Sequence, residues 1–126
     1  MSDKKRILLV EDYDDNRIVF TMLLEHHGYH VTAVPDGEAA VDVAAREPFD
    51  LVLMDISLPG INGWTAMSRM RERAAHRETP FVPVTAHALP EFREKAERLG
   101  CSGFLTKPCD PAEVLAHVSK VLDTDP

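Results

Sequence analysis

The chain has 126 residues, 44% of them apolar and 28% charged, with a formal charge of −7 at pH 7. That length suits one domain with one core, and an acidic balance without a dense Lys/Arg run argues against a nucleic-acid-binding surface. No apolar run approaches a membrane span, the start Met1–Arg6 leads into only four apolar residues, too few for a secretory leader, and Cys101 and Cys109 lack metal-ligand spacing, as free thiols of a reducing cytoplasm do.

Ile7-Leu8-Leu9-Val10 is an apolar run of strand length, followed at once by Glu11 and Asp12. A helix is predicted from about Asp15, with Val19, Met22 and Leu23 on its inward face and Gly28 as its stop. His30 to Val34 reads as a second strand, and Pro35-Asp36-Gly37 as a turn. The helix after it carries a stripe of Ala39, Ala40, Val43 and Ala44 and is expected to end at Pro48. Leu51 to Asp55 is a third strand. Asn62 caps a helix from Trp64 to about Ala74.

Phe81-Val82-Pro83-Val84 is the fourth strand, ending at Thr85. Its internal proline cannot donate to a ladder, which calls for a place near the sheet edge or a nitrogen facing away from any partner. Pro90 opens a helix that runs to Gly100, and Gly103 to Thr106 is a short fifth strand before Lys107. In the last helix Asp110 is the cap, Pro111 the first residue, and Glu113 bonds back to the cap. Its inward face is Val114, Leu115, Val118, Val121 and Leu122.

Five strands thus alternate with five helices, the pattern of a parallel sheet with right-handed crossovers and helices on both faces. No repeats or linkers interrupt it, so residues 1–126 read as one domain, with a core of about 5–122, a frayed tail and no output domain.

The organising stretch is Leu51-Val52-Leu53-Met54-Asp55, where an unbroken apolar run delivers a carboxylate to its end. Ligands of such sheets bind beyond the carboxyl ends of the strands. The residues just past strands one, three, four and five are therefore neighbours: Glu11 and Asp12, Asp55, Thr85 and Lys107. Three carboxylates repel one another unless a cation intervenes. Magnesium takes oxygen ligands and tolerates phosphate oxygens in its shell. An aspartate can attack phosphorus, and phosphoryl transfer needs charge neutralisation above all. Lys107 supplies a second cation and Thr85 a hydroxyl for a phosphoryl oxygen. No nucleotide-binding glycine loop is present. The residues read as a magnesium-assisted phosphoryl acceptor.

In order and spacing, Ile7-Leu8-Leu9-Val10-Glu11-Asp12, Leu53-Met54-Asp55-Ile56-Ser57-Leu58-Pro59-Gly60, Val84-Thr85-Ala86-His87-Ala88 and Phe104-Leu105-Thr106-Lys107-Pro108 resemble the response-regulator receiver domains of two-component signalling. The resemblance covers nearly the whole chain and extends to receivers attached to hybrid kinases and to stand-alone relay receivers. It implies a flavodoxin-like doubly wound five-stranded sheet of order 2-1-3-4-5. It makes Asp55 the phosphoacceptor and Glu11 and Asp12 the acidic pocket, with Asp12 the more direct ligand of Mg2+ (Mn2+ being possible). The backbone carbonyl of Ser57 completes the metal shell, Thr85 and Phe104 are the switch pair, and Lys107 is joined to Pro108 by a cis bond. Phe104 stands where the family often carries Tyr, which removes a phenol hydroxyl. Ser57 and His87 border the approach to Asp55.

The implied function is phosphorelay signalling rather than enzymatic turnover, apart from the domain's own phosphorylation and dephosphorylation. The implied partners are a histidine kinase or histidine phosphotransfer protein as donor, and a downstream protein at the face of helix four, strand five and helix five. No nucleic acid or membrane is engaged directly, and the implied location is cytoplasmic. A flavin-binding module is disfavoured by Glu11 and Asp12 where a phosphate cradle would stand. A phosphohydrolase is disfavoured by the lack of room for a cap domain. A docking domain without chemistry is disfavoured by the full acidic, Thr and Lys set. His26, His27 and His30 are read as an exposed helix end rather than a metal site, because Gly28 interrupts any common face. Trp64 is read as packing, and Cys109 as an ordinary small side chain.

Overall fold

The computed structural model describes residues 4–56, 62–73, 76–86, 89–107 and 109–122. Its elements alternate as β1 (Arg6–Val10), α1 (Asp14–His26), β2 (His30–Val34), α2 (Gly37–Ala44), β3 (Leu51–Asp55), α3 (Gly63–Arg71), β4 (Phe81–Thr85), α4 (Pro90–Arg98), β5 (Leu105–Thr106) and α5 (Pro111–Leu122). The strands pair in parallel in the order β2-β1-β3-β4-β5, the doubly wound arrangement expected.

Strand residues alternate between two cores because successive side chains leave a strand on opposite faces. Ile7, Leu9, Leu51, Leu53 and Val82 pack with Leu24 of α1 and Val114 and Val118 of α5. Leu8, Val10, Val52, Met54 and Phe81 pack with Ala40 and Val43 of α2, Met67 and Met70 of α3, and Ala96 of α4. Apolar groups on both faces keep β1, β3 and β4 in the interior of the molecule.

The inward face of α1 is not the expected one. Val19 and Met22 are exposed, Met22 by 66%, while Leu24 is fully buried and Phe20 packs against the same core. Helix α1 carries two apolar stripes, and the stripe spaced Phe20–Leu24 is the one that meets the sheet. Gly28 does stop the helix, at φ +96°, a conformation that favours glycine.

Helix α2 ends at Ala44, well before Pro48. Residue 48, whose N–H would bond the Ala44 carbonyl in a longer helix, is a proline and has none, and the buried His76 takes that place: its Nε2 lies 2.9 Å from the Ala44 carbonyl and 3.2 Å from that of Glu47. One N–H donated to both satisfies carbonyls that the helix leaves open. Helix α4 ends at Arg98, two residues before Gly100, and β5 is reduced to Leu105 and Thr106.

Pro83 sits in an interior strand, not at the edge. Val52 and Ile56 donate to the carbonyls of Pro80 and Val84, so the even residues of β4 bond to β3. Ser102 and Lys107 donate to Phe81 and Thr85, so the odd residues face β5. The missing N–H of Pro83 falls on that side, where pairing begins only at Val84 with Leu105. The capping box of α5 forms as read: Asp110 Oδ1 accepts from the Ala112 N–H at 3.3 Å, and Glu113 Oε1 from the Asp110 N–H at 3.2 Å.

Candidate functional site

Parallel strands end on one edge, and that edge gathers the predicted side chains. Glu11 follows β1, Asp55 closes β3, Thr85 closes β4 and Lys107 follows β5. Glu11, Asp55 and Thr85 are 3%, 4% and 0% exposed, an unusual depth for two carboxylates. Lys107 balances them. Its Nζ lies 2.8 Å from Asp55 Oδ2 and 3.1 Å from Glu11 Oε1. The Lys107 N–H also donates to the Thr85 carbonyl at 2.7 Å, which ties the ends of β4 and β5 together.

Asp12 is exposed, yet carboxylate oxygens of Glu11, Asp12 and Asp55 all lie within 4.8 Å of one another. Opposed ligands of an octahedral magnesium stand about 4.2 Å apart, twice its metal–oxygen distance. The three oxygens need close by no more than about half an ångström to reach that span, and the all-oxygen donor set suits such an ion. The charge count does as well, since three carboxylates meet a single ammonium among the described residues.

The electrostatics follow from burial. Glu11 is pushed above its ordinary range by desolvation and by the Asp55 charge. The Tyr13 N–H, 3.0 Å from Oε2, and Lys107 pull it back only in part. Burial alone would lower the Lys107 pKa, but hydrogen bonds and charge from Asp55 and Glu11 outweigh it and raise the value. The ammonium is therefore fully charged at neutral pH.

Two supports of the site escaped the sequence reading. Arg17 donates from Nη1 to the Glu11 main-chain carbonyl at 2.9 Å and pairs through Nη2 with Asp14. Gly63 presses the start of α3 against the end of β3, where a Cβ would stand 2.7 Å from the Asp55 carbonyl oxygen and 2.8 Å from Ile56 Cα. Both depend on tertiary neighbours, and the sequence offered only a charge at helical spacing from Asp14 and a glycine after a cap.

Phe104 is half-buried against the α2–α3–α4 core, with the Arg93 guanidinium 5.1 Å from its ring centre. Ser57, His87 and Pro108, and with them the expected metal-ligand carbonyl, site border and cis bond, lie outside the described residues. A cavity of about 320 Å3 opens beside Asp55 and Lys107, walled by Leu9, Phe20, Leu53 and Val114.

The family model for the response regulator receiver domain matches residues 7–119. Among curated relatives, the sensory/regulatory protein RpfC of Xanthomonas campestris is 35% identical over 112 residues, which are 87% of this chain and 15% of that protein. The chain thus spans a small part of that relative. PilH of Pseudomonas aeruginosa is 34% identical over 93% of this chain and 97% of its own length. Among solved structures, the chemotaxis protein CheY4 of Vibrio cholerae has a TM-score of 0.89 at 27% identity, with 94% and 99% of the chains covered. The receiver domain of the Pseudomonas aeruginosa sensor histidine kinase PA1611, solved with a magnesium ion in its active-site cleft, has a TM-score of 0.85 at 36% identity, covering 96% and 99%.

Proposed function

The chain belongs to the response regulator receiver domain family, and from that premise we propose that Asp55 accepts the phosphoryl group of a phosphohistidine on a partner protein. The observation that carries this reading is the Lys107 ammonium held 2.8 Å from a buried Asp55 carboxylate at the sheet edge, with Glu11 and Asp12 beside it.

In the step, an Asp55 carboxylate oxygen forms a bond to phosphorus, the phosphorus–nitrogen bond breaks, and the histidine ring leaves with the electron pair. Lys107 steadies the anionic phosphoryl oxygens. Glu11, Asp12 and Asp55 would hold Mg2+, or Mn2+, which when bound supplies further charge neutralisation for phosphoryl transfer. The magnesium seen in the PA1611 receiver supports this assignment, and by family position the Ser57 carbonyl would complete the set. The reaction is self-modification in a relay, not turnover of a small substrate.

Thr85, tied through its backbone to Lys107, then meets the phosphoryl group and draws the loop after β4 inward. Phe104 follows, and the face of α4, β5 and α5 changes for a downstream protein. The donor is a histidine kinase or histidine phosphotransfer protein of the cytoplasm. It docks beside the site on α1, where Ile18, Val19 and Met22 form an exposed apolar stripe next to Tyr13. No described helix is long and apolar enough to cross a membrane.

The test is the intact mass of the protein after incubation with acetyl phosphate, with and without Mg2+, beside Asp55→Asn. One phosphoryl adduct that needs both Mg2+ and Asp55 is the expected result. An equal adduct on Asp55→Asn moves the acceptor elsewhere. Absence of both adduct and Mg2+ binding in the wild type overturns the reading.

A further inference from the structure

We propose that Arg17 is a positioning residue for the divalent cation, acting through the Glu11–Asp12 peptide; this rests on the reading of the acidic pocket given above. The ladder of β1 carries the chain as far as Glu11, whose N–H donates to the Val34 carbonyl at 3.1 Å. The side chain of Glu11 is fixed by the Tyr13 N–H and by Lys107. Asp12 is the first residue past this support and is exposed. Its carboxylate reaches the other two only if the peptide joining it to Glu11 keeps its plane.

The Arg17 guanidinium holds that plane by the carbonyl. Nη1 donates to Glu11 O at 2.9 Å, and the other arm is anchored on Asp14, one turn back along α1. The Arg17 side chain is 23% exposed, whereas Asp14 is 78% exposed, so the fork sits against the protein with its counterion outside. A planar fork can serve two acceptors at fixed angles, which a lysine ammonium does not reproduce. Groups of this outer kind typically change metal affinity by roughly 10- to 100-fold when removed.

Charge alone predicts the opposite sign. Arg17 is a cation beside a cluster of carboxylates, and deleting a cation there should tighten the binding of a dication. Orientation of Asp12 predicts weaker binding. The sign of the change therefore separates the two roles.

The experiment measures the Mg2+ dissociation constant by calorimetry for wild type, Arg17→Ala and Arg17→Lys, with Asp12→Asn as the ligand control. Metal-free melting temperatures are measured alongside. The expected result is an affinity loss of about tenfold in Arg17→Ala, a comparable loss in Arg17→Lys, and unchanged metal-free melting in at least the Lys variant. The Mg2+ concentration for half-maximal phosphorylation by acetyl phosphate rises in proportion. Unchanged or tighter binding in Arg17→Ala overturns the proposal, as does wild-type affinity in Arg17→Lys. Lowered metal-free melting in both variants also overturns it, because loss of the helix start then accounts for the effect. Failure of the wild type to bind Mg2+ strikes the function itself, whereas wild-type binding that the Arg17 variants share strikes this inference alone.

Discussion

Glu11 is the residue in which site and stability oppose each other most directly. Buried beside Asp55, its carboxyl holds a proton more tightly than the ordinary 4.5. A raised folded pKa means a contribution to stability that is complete below the unfolded value and is lost as pH rises through the folded one. Once ionised, Glu11 is therefore a net cost in the metal-free fold. In EDTA, wild type should lose stability relative to Glu11→Gln as pH rises from about 4.5 through the raised pKa, read by urea denaturation across pH. A difference that stays flat or grows in favour of wild type would show that Lys107 and the Tyr13 N–H fully compensate the burial. The sequence showed that these groups share an edge, because chain order and strand parallelism decide that. It could not show the depth of Glu11 or the reach of Arg17, which depend on how α1 lies against β1.

Helix α1 poses the same question over a whole element. It carries apolar residues around much of its circumference, and spacing alone allows either Phe20–Leu24 or Ile18–Met22 to face the sheet. The structure seats Leu24 under the sheet and leaves Met22 outside. Leu24→Ala should cost about 2–5 kcal/mol of unfolding free energy, and Met22→Ala within about 0.5, both by chemical denaturation. Equal effects would mean that the helix is rotated. The strands were legible to within a residue or two because a strand buried on both faces is a solid apolar run, as in Leu51–Met54. Helix ends were less legible where a distant side chain sets them. The end of α2 is met by His76, which is 32 residues from Ala44 and takes the carbonyl that Pro48, lacking an N–H, leaves open. The proline of β4 was readable as an anomaly, and its resolution needed the short pairing of β5.

Across the whole molecule, the centre of the sheet and its β5 edge are held differently. Strands β1, β3 and β4 are clamped by apolar groups on both faces. Helix α4 buries only Ala96, and β5 pairs through two residues. What holds α4 is largely cationic: Arg71 donates to the Leu99 carbonyl, Arg93 lies over Phe104, and Lys95 stands 5.2 Å from the Trp64 ring centre. Cation–ring contacts at accessible sites are worth about 0.5–1 kcal/mol each, less than one well-buried aliphatic side chain. Segments with few buried apolar contacts open at lower free energy than the rest. The part of the fold nearest Lys107 and Thr85 is thus the part most easily shifted by a new charge on Asp55. Native-state hydrogen exchange should find the amides of α4 and β5 opening more readily than those of β1 and β3. Phosphorylation at Asp55 should change protection in α4 and β5 while leaving β2 and α2 as they were. If α4 proves as protected as the central strands, or if the change spreads evenly through the sheet, the switch cannot reside in the thinly packed edge, and the signal must leave through another face.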